Sequence, residues 1–140
     1  MRLSYSTGSI THFDFKSLSS YDYLFFPIHN SNPLHWSLLF YTRHDNKFTH
    51  FDPVRGTNMF LSLDMVAFIS KSMNITNPTN TVQIACPQQP PDSGACDLYT
   101  AAYIHALLYC IQHKLLFGSL EQCKFDESLQ ILNDLLHGQN

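Results

Sequence analysis

A chain of 140 residues with 44% hydrophobic side chains can bury one core, and we expect one domain covering residues 1–140. Charged residues make up only 14% of the chain, and its net charge of -3 provides no basic stripe for a phosphate backbone, which argues against nucleic acid as a partner. We expect no secretory signal, because residues 1–16 do not have a charged start followed by an apolar run. We expect no membrane partner, because no apolar stretch reaches the length of a membrane span.

The cysteines predict a reducing environment. The four of them form no CxxC pair, and nothing around them is typical of an exported disulfide scaffold; they are Cys86, Cys96, Cys110 and Cys123. We therefore expect free thiols and an intracellular location, either cytoplasmic or nuclear.

Three strands are predicted first along the chain. Residues 23–28 and 36–41 are continuous aromatic and apolar runs, and residues 47–51 alternate between apolar and polar side chains. Residues 42–45 between the second and third runs are polar and have the length of a four-residue hairpin loop. The pattern therefore predicts an antiparallel pair in which Tyr41 lies opposite Asn46.

This predicted register has a consequence for two polar side chains. Counting back from the Tyr41 and Asn46 pair places His35 opposite Asp52. Directly opposed residues have Cβ atoms about 5 Å apart, which suits a hydrogen bond between an imidazole and a carboxylate. Asp52 is followed by Pro53, which cannot donate to a ladder and so ends the strand.

The second half of the chain predicts helices on either side of a proline-rich loop. Ser62 can cap a helix that runs to about Met73, and residues 81–85 form a further strand pattern. After the loop, Asp92 or Ser93 can cap a long apolar helix that ends at Gly118. A last amphipathic helix covers about residues 126–136 and stops at Gly138.

The long helix would hold Cys96 in its first turn, which is a favourable position for a reactive thiol. The nucleophile is the thiolate, and the unpaired N–H groups and dipole of a helix N-terminus stabilise an anion. His35 could serve as the base and then as the acid, with Asp52 fixing its tautomer. The Gln89 amide and the Cys96 backbone N–H could bind the oxyanion, and each such donor is worth about 10²–10³ in rate.

Simpler interpretations exist for each of these residues. A lone cysteine at the start of an apolar helix is most often a small buried side chain, and Asp52 before Pro53 is a plausible turn residue. Zinc binding by His105, Cys110 and His113 is disfavoured because the neighbours are apolar and no paired ligand motif follows. The joint order of His, Asp, Gln and Cys favours thiol chemistry.

The stretch His35-Trp36-Ser37-Leu38-Leu39 resembles the histidine strand of the ubiquitin-like-protease group of cysteine peptidases. This group includes the sentrin-specific (SUMO) proteases, the related deneddylase and the adenovirus-type protease. His35 and Asp52 are seventeen residues apart, as is usual in the cellular members, whereas Gln89 lies seven residues before Cys96, closer to the adenovirus-type spacing. The resemblance runs from about residue 23 to residue 116.

The resemblance implies an α+β fold of the papain-like, ubiquitin-like-protease type. Such a fold has a small central, mostly antiparallel sheet and holds the nucleophile at the N-terminus of a buried helix. The implied roles are base for His35, its partner for Asp52, oxyanion donor for Gln89 and nucleophile for Cys96. Trp36 resembles the tryptophan that covers the narrow channel for a Gly-Gly tail, although an aromatic side chain on a strand is as often part of the core. No cofactor is implied.

The implied function is that of a cysteine peptidase or isopeptidase, a hydrolase that cleaves after the Gly-Gly-type tail of a ubiquitin-like modifier. Its partners would be the modifier and its conjugates. One alternative is a maturation protease of a virus or mobile element, and another is an inactive pseudo-protease that only binds a modifier. Asp97 motivates the inactive alternative, because it follows the nucleophile where the family usually has glycine. The N-terminal part of the family domain is expected to be reduced or missing, and a second channel-wall tryptophan has no counterpart.

Overall fold

The computed structural model describes residues 14–82, 86–115 and 122–138. In chain order it contains a 3-10 helix Phe15–Ser20, strands β1 Tyr23–Ser31, β2 Leu34–Thr42 and β3 Lys47–Phe51, helix α1 Met59–Met73, strand β4 Thr79–Val82, and helices α2 Cys96–Gln112 and α3 Gln122–Leu136. The three predicted strands of the first half are confirmed, with β1 and β2 longer than expected.

The described strands form one four-stranded sheet in the order β1-β2-β3-β4. The first two pairs are antiparallel, and β3 pairs with β4 in parallel. A mostly antiparallel sheet with helices packed against it is the α+β architecture that was predicted. Strand β4 begins two residues earlier than the predicted strand, and positions 83–85 of that prediction lie outside the described residues.

Both faces of the central strand β2 are buried, which explains its continuous apolar run. Leu38 and Phe40 belong to one core cluster together with side chains of α2 and with Phe125 of α3. Leu39 and Tyr41, which point to the opposite face, belong to a second cluster with side chains of α1. The predicted buried helix is thus α2, and β2 lies between two separate cores.

The predicted register of the β2–β3 hairpin is wrong by two residues. Tyr41 pairs with Phe48, and Thr42 with Lys47, so the loop consists of residues 43–46. Asn46 lies in this loop and adopts a left-handed conformation there (φ 50°), which a strand residue does not adopt. Its side-chain Oδ1 accepts a hydrogen bond from the Tyr41 hydroxyl at 2.8 Å. A shift of two residues keeps every side chain on its original face.

The helix caps predicted from the sequence are also wrong. Helix α1 begins one turn before the predicted cap Ser62, whose hydroxyl donates to the Met59 carbonyl at 2.8 Å within the helix. Helix α2 follows Ala95, which has no capping side chain, so neither Asp92 nor Ser93 is its N-cap.

The helix ends agree with the predictions in part, and α1 ends at Met73 as predicted. Helix α2 ends at Gln112, and its predicted end at Gly118 lies outside the described residues. Helix α3 begins about one turn earlier than expected and is followed by Gly138 at φ 60°, as predicted for its end. Among the described helices, none combines the length and apolar content that crossing a membrane requires.

Candidate active site

His35 and Asp52 form a buried pair where β2 begins and β3 ends. The His35 Nε2 lies 2.6 Å from the Asp52 Oδ1, and the two residues are 4% and 3% exposed. They are not directly opposed: β3 ends at Phe51, which pairs with Leu38, and Asp52 follows this last pair. The two-residue shift leaves them on the same face, and so the predicted contact is formed despite the wrong register.

The Asp52 carboxylate is held by the backbone that follows it. Its Oδ1 accepts a second hydrogen bond from the Val54 N–H at 3.1 Å, and its Oδ2 accepts one from the Asn58 N–H at 2.9 Å. An ionised carboxylate only accepts hydrogen bonds, so the His35 proton on this side resides on Nε2. The neutral ring then presents Nδ1 with a free lone pair, which is the atom able to take a proton from a thiol.

A second layer of buried polar groups supports this pair and was missed by sequence reasoning. Asn58 is 0% exposed, and its Nδ2 donates to the Ser37 Oγ at 2.9 Å and to the His35 carbonyl at 3.5 Å. The Ser37 Oγ also lies 2.9 Å from the His50 Nε2 and shares a hydrogen bond with it. Ser37 was the available signal, because it is a hydroxyl within an otherwise apolar buried run.

His50 makes the stability of the fold depend on pH. Burial lowers its pKa to about 4 from the ordinary 6.5, against the attraction of the Asp52 carboxylate. Below pH 6.5 the unfolded chain binds a proton that the folded chain does not, so we expect unfolding free energy to fall as the pH decreases towards 4, by about 3 kcal/mol in total. Urea unfolding at several pH values measures this.

His50→Gln is the matched control, because it keeps a polar side chain near Ser37 and removes the titration. We expect the variant to lose this part of the pH dependence between 6.5 and 4. Equal slopes for the variant and the unchanged chain would show that His50 is not the titrating group.

Gln89 lies beside the turn that carries Asp52. Its backbone N–H donates to the Pro53 carbonyl at 3.0 Å, and its side-chain Nε2 donates to the Ser93 Oγ at 3.2 Å. A primary amide has two N–H groups, so one remains for an oxyanion. The Gln89 Oε1 is buried and accepts no hydrogen bond from the described residues. The bonds to Pro53 and Ser93 thus restrict the position of the Gln89 side-chain amide.

Cys96 is the first residue of α2, which agrees with its predicted position in the first turn of this helix. Its side chain is half-buried. Within the described ranges, no hydrogen bond joins the Cys96 Sγ to the His35 ring. The structure therefore brings together His35, Asp52 and the Gln89 backbone, while the approach of the thiol to the imidazole stays a prediction. Such catalytic hydrogen bonds are often long without substrate and shorten in the complex.

Helix α2 is joined to the loop before Gln89 by a buried tyrosine. The Tyr103 hydroxyl donates to the Pro87 carbonyl and lies 3.7 Å from the Cys86 Sγ. Burial raises the Tyr103 pKa above its ordinary value, so the hydroxyl keeps its proton and remains a donor. The helix with the candidate nucleophile and the segment with the candidate oxyanion donor are thus held together.

Trp36 is half-buried and packs its ring against His29, with centroids 4.5 Å apart. Its predicted contact with a substrate tail stays a prediction. Of the residues considered for zinc, the His105 Nδ1 lies 2.9 Å from the Ser128 Oγ, Cys110 is buried, and the exposed His113 packs on Tyr109. In the described part of the chain, no three His, Cys, Asp or Glu side chains are grouped as metal ligands.

The chain resembles known proteins in sequence. A family model described as "Ulp1 protease family, C-terminal catalytic domain" matches residues 10–127. A relative named "Probable sentrin-specific protease 8" from Dictyostelium discoideum is 31% identical over 134 residues, which cover 86% of this chain and 52% of the relative. The chain therefore spans about half the length of this relative.

Solved structures show the same fold. Two structures of the SUMO protease Ulp1, with its catalytic cysteine oxidised to a sulfenic or a sulfonic acid, align with a TM-score of 0.54 at 16% identity. Each alignment covers 82% of this chain and 52% of the solved chain. At this identity the likeness concerns the fold, and it agrees with the predicted ubiquitin-like-protease architecture.

Proposed function

The chain belongs to the Ulp1 protease family, and from this premise we propose that it is a cysteine peptidase that cleaves after the Gly-Gly-type tail of a ubiquitin-like modifier. The observation that carries the proposal is the buried contact of 2.6 Å between the His35 Nε2 and the Asp52 Oδ1. A buried imidazole with one nitrogen fixed by a carboxylate is the base that a thiol nucleophile needs. We treat residues 1–140 as one catalytic domain.

In this mechanism Cys96 attacks the carbonyl carbon of the terminal glycine, and its thiol proton passes to the His35 Nδ1. The second Gln89 N–H and the Cys96 backbone N–H donate to the oxyanion of the tetrahedral intermediate. His35 then gives its proton to the leaving amine, which leaves a thioester on Cys96. A water molecule, deprotonated by His35, hydrolyses the thioester and frees the thiol. Asp52 keeps the ring orientation and tautomer throughout.

Asp97 is compatible with this mechanism. Its Oδ1 accepts a hydrogen bond from the Leu98 N–H at 2.8 Å, and the residue is exposed. The carboxylate thus binds a backbone donor of the first turn of α2, where negative charge is favoured, and water screens it. This contact supports an active enzyme over the pseudo-protease, in which Asp97 would oppose the thiolate.

The proposed substrate is a SUMO-like modifier or a modifier of the deneddylase class, either as a precursor or as a conjugate. The names of the relatives support a modifier of this kind. Trp36 would cover the tail, and no cofactor takes part. The chemistry requires reduced thiols, which supports a cytoplasmic or nuclear location. The seven-residue spacing from Gln89 to Cys96 favours one alternative, a viral or mobile-element maturation protease.

A panel of modifiers with electrophilic C-terminal groups tests the proposal. We expect a probe built on SUMO or on another ubiquitin-like modifier to form a covalent adduct at Cys96, located by mass spectrometry of the digested protein. Binding of a modifier without any adduct would support the pseudo-protease. Failure of all modifiers to bind or react would favour the maturation protease and contradict our proposal.

Gln89→Ala is expected to lower kcat by about 10²–10³-fold while leaving KM nearly unchanged, because the oxyanion exists only in the transition state. Steady-state cleavage of a modifier with a fluorogenic C-terminal amide measures both constants. Gln130→Ala is the matched control, since it removes an exposed glutamine whose Nε2 donates to Asp134 on α3. A rise in KM with unchanged kcat would remove Gln89 from the oxyanion role.

A further inference from the structure

We propose that Gln88 is a positioning residue of the active site, and that it acts by fastening the Asp52 turn to the segment that carries Gln89. The sequence alone gives Gln88 no role beside its neighbour. The inference rests on the proposed function, because it concerns how that site keeps its geometry. The two consecutive glutamines thus have different roles. Gln89 contacts the reacting atoms, and Gln88 keeps the Asp52 carboxylate and the Gln89 amide at a fixed distance.

Every polar group of the Gln88 side chain is used. Its Nε2 donates to the Asp52 carbonyl at 2.7 Å and to the Cys86 carbonyl at 3.3 Å. Its Oε1 accepts a hydrogen bond from the Arg55 N–H at 2.8 Å. One amide therefore binds both ends of residues 52–55 and also fixes its own segment. We call this set of three hydrogen bonds the Gln88 clamp.

The clamp binds the backbone that directly follows β3, which ends at Phe51. The last pair between β3 and β4 among the described residues is His50 with Val82, and Asp52 directly follows the end of β3 at Phe51. Pro53 follows and has no N–H with which to continue a strand. A side-chain amide carries the same donor and acceptor as a peptide group and can therefore bind the backbone that follows β3. Gln88 supplies that group to Asp52 and Arg55.

Three neighbouring contacts make the clamp part of a larger joint. The Gln89 N–H donates to the Pro53 carbonyl at 3.0 Å, and the Cys86 thiol donates to the Asp52 carbonyl at 3.7 Å. On the opposite side, the Tyr103 hydroxyl of α2 donates to the Pro87 carbonyl. Residues 86–89 thus connect the turn that holds the acid with the helix that begins at the candidate nucleophile.

Catalysis depends on this joint because Asp52 and Gln89 act on different atoms and must keep a fixed distance from each other. Asp52 orients the imidazole, whereas Gln89 binds the oxyanion, and a displacement of about 1 Å between such groups can cost about 10²-fold in rate. Without the clamp, the hydrogen bond from the Gln89 N–H to the Pro53 carbonyl remains, but the Asp52 carbonyl and the Arg55 N–H lose their bonds to Gln88, and so the position of the Gln89 amide relative to Asp52 is less restricted. Gln88→Ala is therefore expected to lower kcat by about 10- to 100-fold with little change in KM.

A double-mutant cycle separates positioning from general destabilisation. If Gln88 acts through Gln89, the loss in kcat caused by Gln88→Ala should shrink to less than about 3-fold when Gln89 is already alanine. Gln130→Ala, an exposed substitution of the same kind on α3, should leave kcat unchanged. Multiplicative losses in the cycle, or an unchanged kcat for Gln88→Ala, would overturn the proposal.

A second measurement does not need a substrate. In Gln88→Ala, amide hydrogen exchange at Arg55 should accelerate at least 10-fold, because its acceptor is gone, and exchange at Gln89 should accelerate with it. Unchanged exchange at both amides would overturn the clamp. If the unchanged chain cleaves no modifier but these amides respond as expected, the proposed function fails while the clamp stands. Faster exchange with normal kcat would contradict the positioning role.

Discussion

Replacing Cys96 with alanine is expected to abolish hydrolysis, with a loss in kcat/KM of about 10⁴-fold or more, while the fold remains intact. Without the sulfur no thioester can form, and the imidazole and oxyanion donors alone provide only weak catalysis. Cys96 is half-buried at the start of α2 and lies in neither core cluster, so its loss should change the unfolding free energy by less than about 1 kcal/mol. Turnover of a modifier amide and urea unfolding measure the two effects.

Cys110→Ala is the matched cysteine control, because it removes a buried thiol near the opposite end of the same helix. We expect this variant to retain both turnover and the covalent adduct with a modifier probe. Turnover by Cys96→Ala within about 10-fold of the unchanged chain would exclude Cys96 as the nucleophile. An adduct on Cys86 or Cys110 would have the same meaning.

Asp52→Asn is expected to lower kcat by about 10⁴-fold, because it disturbs the tautomer of the base without changing the size of the side chain. If the new amide nitrogen faces His35, it donates to Nε2 and forces the ring proton onto Nδ1, the atom that must accept the thiol proton. If it faces the other way, it meets the Asn58 N–H, and two donors oppose each other in a buried site. In the first arrangement the new nitrogen also opposes the Val54 N–H, so either arrangement should cost about 1–3 kcal/mol in unfolding free energy.

Nitrogen chemical shifts of the labelled His35 ring report the tautomer directly, and steady-state kinetics report the rate. Asp45→Asn is the control, since Asp45 is an exposed carboxylate in the β2–β3 loop. Turnover by Asp52→Asn within 10-fold of the unchanged chain, with the proton still on Nε2, would contradict the assigned role.

The strands and the His35–Asp52 contact were predictable from the sequence. A register error of two residues changes neither the hydrophobic periodicity of a strand nor the sheet face to which each side chain points. The hairpin loop was misplaced by two residues, yet a side-chain period of two returns the same face, and the pair still meets at 2.6 Å. The exact turn could not be predicted because it depends on tertiary contacts of Asn46, whose Nδ2 donates to the Thr76 carbonyl at 3.0 Å. That partner lies thirty residues away in sequence.

The supporting residues of the site were not predictable from local patterns. Ser62 is a residue type that often caps helices, but α1 begins one turn earlier, at Met59. Asn58, which precedes this helix, donates its backbone N–H to the Asp52 carboxylate. Ser37 stands out as a hydroxyl in an apolar run, but no local pattern indicates that it meets His50, which looks like an ordinary member of an alternating strand. Gln88 gains its role only from residues 52–55, more than thirty positions earlier in the chain.

The position of β2 between two cores has a consequence for how the reaction centre can be opened. His35 is mounted on the strand that is covered from both sides, and partial unfolding rarely begins in such an element. The loop of residues 90–95, which follows Gln89, is mostly exposed and is held by a few hydrogen bonds that involve Ser93. Local opening of the site should therefore move this loop while His35 stays in place. A small molecule bound beneath the loop would then inhibit the enzyme without unfolding it.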